Sequence, residues 1–174
     1  MTFEDGYAEW SGAMFSILRD ASVKLFCYVP DTGSNSLISL AEKDNETRTI
    51  LLTTEEEGVA ICAGADLVGE RGIICMQSSG VGNCPNYLSL VSGARFPLLM
   101  LVTMRGDYGE QNPWQYPMGR AVEPILKAME VSMFKVANRN EIEEATVAAL
   151  DTTEKGTQSA AIILSQKFLG AKGF

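Results

Sequence analysis

The sequence predicts an α/β fold, a doubly wound and mainly parallel sheet of about six strands with helices on both faces. Three observations predict it. Apolar, β-branched runs recur as continuous stretches instead of alternating ones, which marks strands covered on both sides. Helical patterns separate these runs one by one, and strict strand–helix alternation implies right-handed crossovers between parallel strands. Turns rich in Gly, Ser and Asp close the carboxyl ends of three strands, where sheets of this class bind ligands.

A helical pattern over Tyr7–Ala21 feeds a first strand at Val23–Val29. The turn Val29-Pro30-Asp31-Thr32-Gly33-Ser34 follows, with Ser34 or Asn35 placed to cap a helix over Ser34–Lys43. Arg48–Leu52 reads as the second strand and Glu55–Val68 as the helix behind it. Thr54 and Glu57 have the spacing of a capping box, and the acids Glu55, Glu56 and Glu57 suit the dipole of a first turn. Capping uses Glu57 and leaves Glu55 and Glu56. The helix body, Gly58-Val59-Ala60-Ile61-Cys62-Ala63-Gly64-Ala65, is small and apolar on nearly every side. It predicts close packing, and a partly dry surrounding for an acid at its start.

Gly72–Met76 is the third strand. Gln77-Ser78-Ser79-Gly80-Val81-Gly82-Asn83 reads as a turn that uses Gly80 and Gly82 for positive φ and Asn83 as cap of a helix over Asn83–Ser92. Leu98–Thr103 is the fourth strand. Arg105–Pro117, RGDYGEQNPWQYP, is a long irregular segment at its carboxyl end. A helix at Met118–Met129, a strand at Met133–Ala137, a helix at Glu141–Lys155 and a strand at Ala160–Leu164 complete the alternation. One domain over residues 1–174 is long enough to bury a core.

The net charge of −8, from 22 acidic and 14 basic residues, argues against a nucleic-acid partner, which needs clustered Lys and Arg. No apolar run approaches the roughly 18 residues of a membrane span. The opening MTFEDGYAEWSG lacks the segments of a signal peptide, so a cytoplasmic location is expected. Cys27, Cys62, Cys75 and Cys84 have no metal-type spacing and read as buried free thiols. The chain has no histidine, which removes Ser-His-Asp and Cys-His catalysis and makes a zinc site a poor expectation.

Four segments carry a resemblance: Tyr28-Val29-Pro30-Asp31, Thr54-Glu55-Glu56-Glu57-Gly58 with Gly64 beyond, Gln77 to Asn83, and Phe96 to Gly106. Together they resemble the pyrimidine-binding (PYR) module of thiamine-diphosphate-dependent decarboxylases. More closely, they are similar to the separate α subunit of sulfopyruvate decarboxylase and the N-terminal half of phosphonopyruvate decarboxylase. In that family a glutamate begins the helix after the second strand, with a small residue three positions on and a glycine nine positions on. Glu55, with Gly58 and Gly64, meets both requirements. The resemblance implies that Glu55 is the catalytic acid and hydrogen-bonds N1′ of the aminopyrimidine, with Pro30, Ser79, Gly80 and Asn83 also against the cofactor. It further implies Asp31, Asn86, Arg105, Gln111 and Gln115 toward a small anionic 2-oxo acid, 3-sulfopyruvate or phosphonopyruvate; Arg105 is the candidate to meet a second anion, the alternative being a loop arginine paired with Asp107 or Glu110.

Family members hold the diphosphate and Mg2+ on a second (PP) module through a GDG motif, which this chain lacks. The resemblance therefore implies a PP-type β subunit that carries Mg2+ and shares the thiamine diphosphate, and the apolar Glu55–Val68 and Asn83–Ser92 helices, which a lone domain of this size could not easily cover, predict self-association as well. The competing expectation is a small-ligand-binding or regulatory module of flavodoxin or Rossmann type. Against it stands the lack of GxGxxG after the first strand.

Overall fold

The computed structural model describes the backbone of residues 3–170 and the side chains of residues 10–170. The strands are β1 (Val23–Tyr28), β2 (Arg48–Leu51), β3 (Arg71–Gln77), β4 (Leu99–Thr103), β5 (Ser132–Val136) and β6 (Ala160–Leu164). The helices are α1 (Phe3–Asp20), α2 (Asn35–Lys43), α3 (Glu55–Asp66), α4 (Ser78–Val81), α5 (Pro85–Ala94), α6 (Tyr116–Ala128), α7 (Ile142–Gly156) and α8 (Gln166–Leu169). All strand pairs are parallel, in the order β2-β1-β3-β4-β6-β5. The expected six-stranded, doubly wound sheet is borne out.

Each inner strand buries side chains on both faces, which is why its sequence does not alternate. Phe26 joins Ile73, Leu101 and Ile162 in a core under α1, α2, α7 and α8. Its neighbours Leu25 and Cys27 join Ile74, Met100 and Ile163 in a second core under α3, α5 and α6. A large aliphatic side chain buried this way contributes about 1.5–3 kcal/mol. The chain passes from β1 outward to β2, then returns across β1 to β3. The carboxyl ends of β1 and β3 thus flank a topological switch point, where such sheets leave a crevice.

Helix α3 lies close to the sheet because its residues are small. A Cβ at Gly58 would stand 2.6 Å from Ile74 Cδ1 and 2.7 Å from Leu52 Cδ1. A Cβ at Gly72, on the strand beneath, would stand 3.0 Å from Cys62 Sγ. The four cysteines are free and buried, as their apolar settings predicted. Cys62 Sγ lies 4.0 Å from Cys27 Sγ and hydrogen-bonds to it, which holds the Cys27 thiol below its ordinary value. Burial, reinforced by the charges of Glu55 and Glu56, pushes the Cys84 thiol up to about 12.

The two outer strands differ from the inner ones. β2 has only four residues, and its Arg48 reaches Glu70 at 3.2 Å. In β5 the exposed Lys135 pairs with Glu123 at 2.7 Å.

Three local expectations are corrected. Gly80 and Gly82 do not have positive φ; Ser78–Val81 is a single helical turn, and Gly82 has φ −65. Asn83 does not cap the following helix, which starts at Pro85 with Cys84 as its N-cap. The capping box at Thr54 is also absent. Glu57 Oε2 accepts from the Thr53 N–H at 2.8 Å, one residue earlier, while the Thr54 hydroxyl donates to Glu56 Oε2 at 2.5 Å. Asn83 is drawn instead to Glu55, 28 residues away, whereas the acids at the start of α3 find other partners within four residues.

Candidate active site

Glu55 is the first residue of α3 and is only 8% exposed. It starts beyond β2, and its carboxylate meets α4 beyond β3, so it reaches over the end of β1, which lies between them. Asn83 Nδ2 donates to Glu55 Oε2 at 2.7 Å. Oε1 takes no hydrogen bond among the described residues. Gly80 explains the close approach, since a Cβ there would stand 2.5 Å from both Cγ and Cδ of Glu55. Glycine is thus required at position 80 by the space the carboxylate occupies.

The same short segment builds a second polar group. Asp31, in the turn after β1, lies across the switch-point crevice from Gln77, whose Nε2 donates to Asp31 Oδ1 at 3.0 Å. Asp31 Oδ2 accepts from the Thr103 hydroxyl at 2.6 Å and from the Gly33 N–H at 2.9 Å. Ser79 Oγ donates to Gln77 Oε1 at 3.0 Å and so fixes which way that amide points. Between them, Ser78 Oγ donates to the Arg105 carbonyl at 3.1 Å and accepts from its N–H at 3.0 Å, tying the loop after β4 to α4. Residues 77–83 therefore touch Glu55, Asp31 and Arg105.

The loop after β4 is organised by a buried ion pair. Arg105 Nε and Nη2 donate to the two oxygens of Glu110 at 2.5 and 2.6 Å. Glu110 also accepts from the N–H groups of Gln111 at 3.0 Å and Asn112 at 2.9 Å, and from Gln166 Nε2 at 2.9 Å. The Arg105 guanidinium holds the Glu110 carboxyl far below the usual range, with the Asn112 N–H and Gln166 amide adding to the effect. Gln166 Oε1 in turn accepts from the Gly106 N–H at 3.1 Å and binds the loop to the end of β6. Gly106 has φ +79, and any Cβ there would strike the Gln115 carbonyl. Arg105, expected toward a substrate anion, thus already has a two-point partner within its own loop.

The remaining expected residues are distributed around this centre. Pro30 is exposed beside Asp31, and Ser79 is exposed beside Gly80. Gln115 ends a 3-10 turn, Pro113–Gln115, whose start is capped by Asn112 Oδ1 at 3.1 Å from the Trp114 N–H. Gln111 is exposed on the loop. Asn86 instead lines a shallow depression of about 620 Å³ with Tyr87, Ser89, Leu90, Gly93 and Ala94. A neighbouring depression of about 500 Å³ joins Tyr87 to Ile61 and Glu57 on α3. Gln77, Thr103 and Gln166 are not singled out from the sequence as site residues, whereas the pairing of Arg105 with Glu110 bears out one of the two readings given for that arginine. Gln77 and Thr103 stand in segments already flagged, but Gln166 carries no local signal. Among the described residues no group of His, Cys, Asp or Glu side chains could hold a metal ion, and no helix is long and apolar enough to cross a membrane.

No family model matches this chain. It is similar to sulfopyruvate decarboxylase subunit alpha of Methanocaldococcus jannaschii, with 40% identity over 124 residues that span 71% of this chain and 73% of that one. It is 31% identical over 159 residues to the protein of the same name from Methanothermobacter thermautotrophicus, spanning 91% of this chain and 96% of the other. A solved structure of 2-oxoglutarate:ferredoxin oxidoreductase from Magnetococcus marinus superposes with a TM-score of 0.73 over 92% of this chain and 29% of its own. At 15% identity that likeness shows a shared fold.

Proposed function

The chain belongs to the family of sulfopyruvate decarboxylase alpha subunits, and from that premise we propose that it is the PYR-type subunit of a thiamine-diphosphate-dependent 2-oxo-acid decarboxylase. Its substrate is 3-sulfopyruvate, and the product is sulfoacetaldehyde. In the net reaction one carbon–carbon bond breaks, carbon dioxide leaves and one proton is taken up at the former ketone carbon. Thiamine diphosphate, when bound, supplies the electron sink for that bond cleavage.

The observation that carries the reading is the state of Glu55. A site for the N1′ edge of an aminopyrimidine needs a carboxylate that is buried, oriented and still has an oxygen to share. Glu55 fits: Oε2 is held by Asn83, Oε1 has no partner among the described residues, and the missing side chain of Gly80 is what lets the carboxylate sit there. Its part is to hold and share a proton at Oε1, with Pro30, Ser79, Gly80 and Asn83 shaping the pocket wall around the cofactor. Asp31, half-buried and fixed by three donors, faces the 2-oxo acid, with Gln111, Gln115 and Asn86 as further polar contacts. Arg105 orders the loop through Glu110; contact with a second substrate anion would require it to give up part of that pair.

Residues 1–174 form a single PYR domain in this reading, and the diphosphate and Mg2+ are held by a PP-type β subunit. The alpha-subunit relatives support a partner of that kind. The exposed Leu51, Leu67, Val68 and Leu90, around α3 and α5, support association with further copies of this chain. The test is turnover. This chain, reconstituted with a PP-type subunit, thiamine diphosphate and Mg2+, is offered 3-sulfopyruvate, phosphonopyruvate and pyruvate while aldehyde and carbon dioxide are measured. Highest kcat/KM on 3-sulfopyruvate supports the assignment. Preference for phosphonopyruvate would move it to that substrate, and no decarboxylation of any 2-oxo acid would overturn it.

A further inference from the structure

We propose that Thr103 and Gln77 are positioning residues that together set the direction of the Asp31 carboxylate. This rests on the reading of Asp31 as the residue facing the 2-oxo acid.

Asp31 sits on a turn, where a carboxylate would ordinarily rotate about its side-chain bonds. Here each oxygen is held from a different strand end: Oδ1 by Gln77 Nε2 at 3.0 Å, at the end of β3, and Oδ2 by Thr103 Oγ1 at 2.6 Å, at the end of β4, beside the local Gly33 N–H at 2.9 Å. The Thr103 contact has the length of a charge-assisted O–H···O⁻ bond, and Thr103 is only 2% exposed, so solvent does not replace it. The packing is built around this contact. A Cβ at Gly33 would stand 2.7 Å from Asp31 Oδ2 and 2.9 Å from Thr103 Cβ, so a glycine is needed for the two to meet. Gln77 is itself aimed, because the Ser79 hydroxyl donates to its Oε1 and leaves its amide N–H for Asp31. None of these side chains has to touch the substrate for the arrangement to work. Removing either side-chain donor leaves the carboxylate on its turn, with the Gly33 N–H still on Oδ2, but loosens the plane in which it is held.

The test uses the two-subunit complex turning over 3-sulfopyruvate. Thr103→Val keeps the side-chain shape and deletes the donor. It should lower kcat about 10- to 100-fold while KM changes by less than about threefold. Thr103→Ser, which restores the hydroxyl, should recover most of that loss. Gln77→Leu removes the other donor and should give the same kcat-weighted loss, and it carries the test if Thr103→Val does not fold. Wild-type turnover in both donor-deleted variants would overturn the proposal, as would a Thr103→Ser variant no better than Thr103→Val. Asp31→Asn separates the two levels. If it is inactive while Thr103→Val is fully active, positioning alone is wrong; if it is fully active, the role of Asp31 itself is wrong.

Discussion

Asn83 donates to Glu55 Oε2 at 2.7 Å across 28 residues of sequence, and the opposite oxygen of the same carboxylate takes no bond among the described residues. One oxygen is fixed so that the other is presented. This asymmetry separates Glu55 from its neighbours, since Glu56 is engaged by Thr54 and Glu57 by the Thr53 N–H.

Glu55→Gln should therefore remove most decarboxylation in the assembled complex, by about 10²–10⁴-fold in kcat, the usual worth of general acid–base assistance. Cofactor binding should weaken only modestly, because the amide is close in size and can still turn its oxygen toward Asn83. Steady-state kinetics beside a thiamine diphosphate titration would check both parts. Near-normal kcat would remove Glu55 from the chemistry.

Glu57→Gln should change little. Its role is to accept the Thr53 N–H at the start of α3, and an amide oxygen serves there too, so a loss of about 1 kcal/mol or less is expected. Chemical denaturation and kcat together distinguish it from Glu55→Gln. A dead Glu57→Gln with an active Glu55→Gln would reverse the assignment along this helix.

Gly80→Ala should be worse than a surface glycine change. The added methyl would enter the space of the Glu55 side chain, and overpacking of this kind costs about 1–3 kcal/mol. Displacement of the carboxylate should lower kcat as well. A thermal melt and an activity assay on the same sample test whether the two losses go together.

The Arg105–Glu110 pair predicts a pH-dependent loop. Arg105, aided by backbone and Gln166 donors, depresses the Glu110 carboxyl. Its stabilising contribution is thus present above the unfolded carboxylate value of about 4.3 and is lost as pH falls toward the lower folded value. Hydrogen exchange at the Gln111 and Asn112 amides, taken relative to the intrinsic rate at each pH, should show protection at neutral pH that is lost in acid. Glu110→Gln should show fast exchange already at pH 7. Arg105→Ala should lower kcat/KM by similar factors for 3-sulfopyruvate and pyruvate, as loss of loop order would; a loss confined to KM for the sulfonate would instead place a second-anion contact at Arg105.

The inner strands were legible because burial on both faces leaves an uninterrupted apolar signature, and Ala160–Leu164 has in the structure the bounds its sequence suggests. Glu55 was legible as a helix start with one acid more than capping needs. The polar wiring was not. Gly80 and Gly82 looked like turn glycines, whereas the need at Gly80 is steric and is created by a side chain 25 positions earlier. Glu110 and Gln166 meet across 56 residues. Short-range pattern cannot report such a meeting, since it exists only once β4 and β6 lie side by side.

The outer strands carry one further consequence. An open sheet can act as a template on which another chain lays down its own strand, and repetition of that event leads to fibres. Here one rim is a four-residue stub and the other displays Lys135 bound to Glu123. Neither rim offers a long, flat, uncharged row of unpaired backbone groups. A sheet with such rims gives the strand of another chain little to extend, so backbone templating stops at six strands.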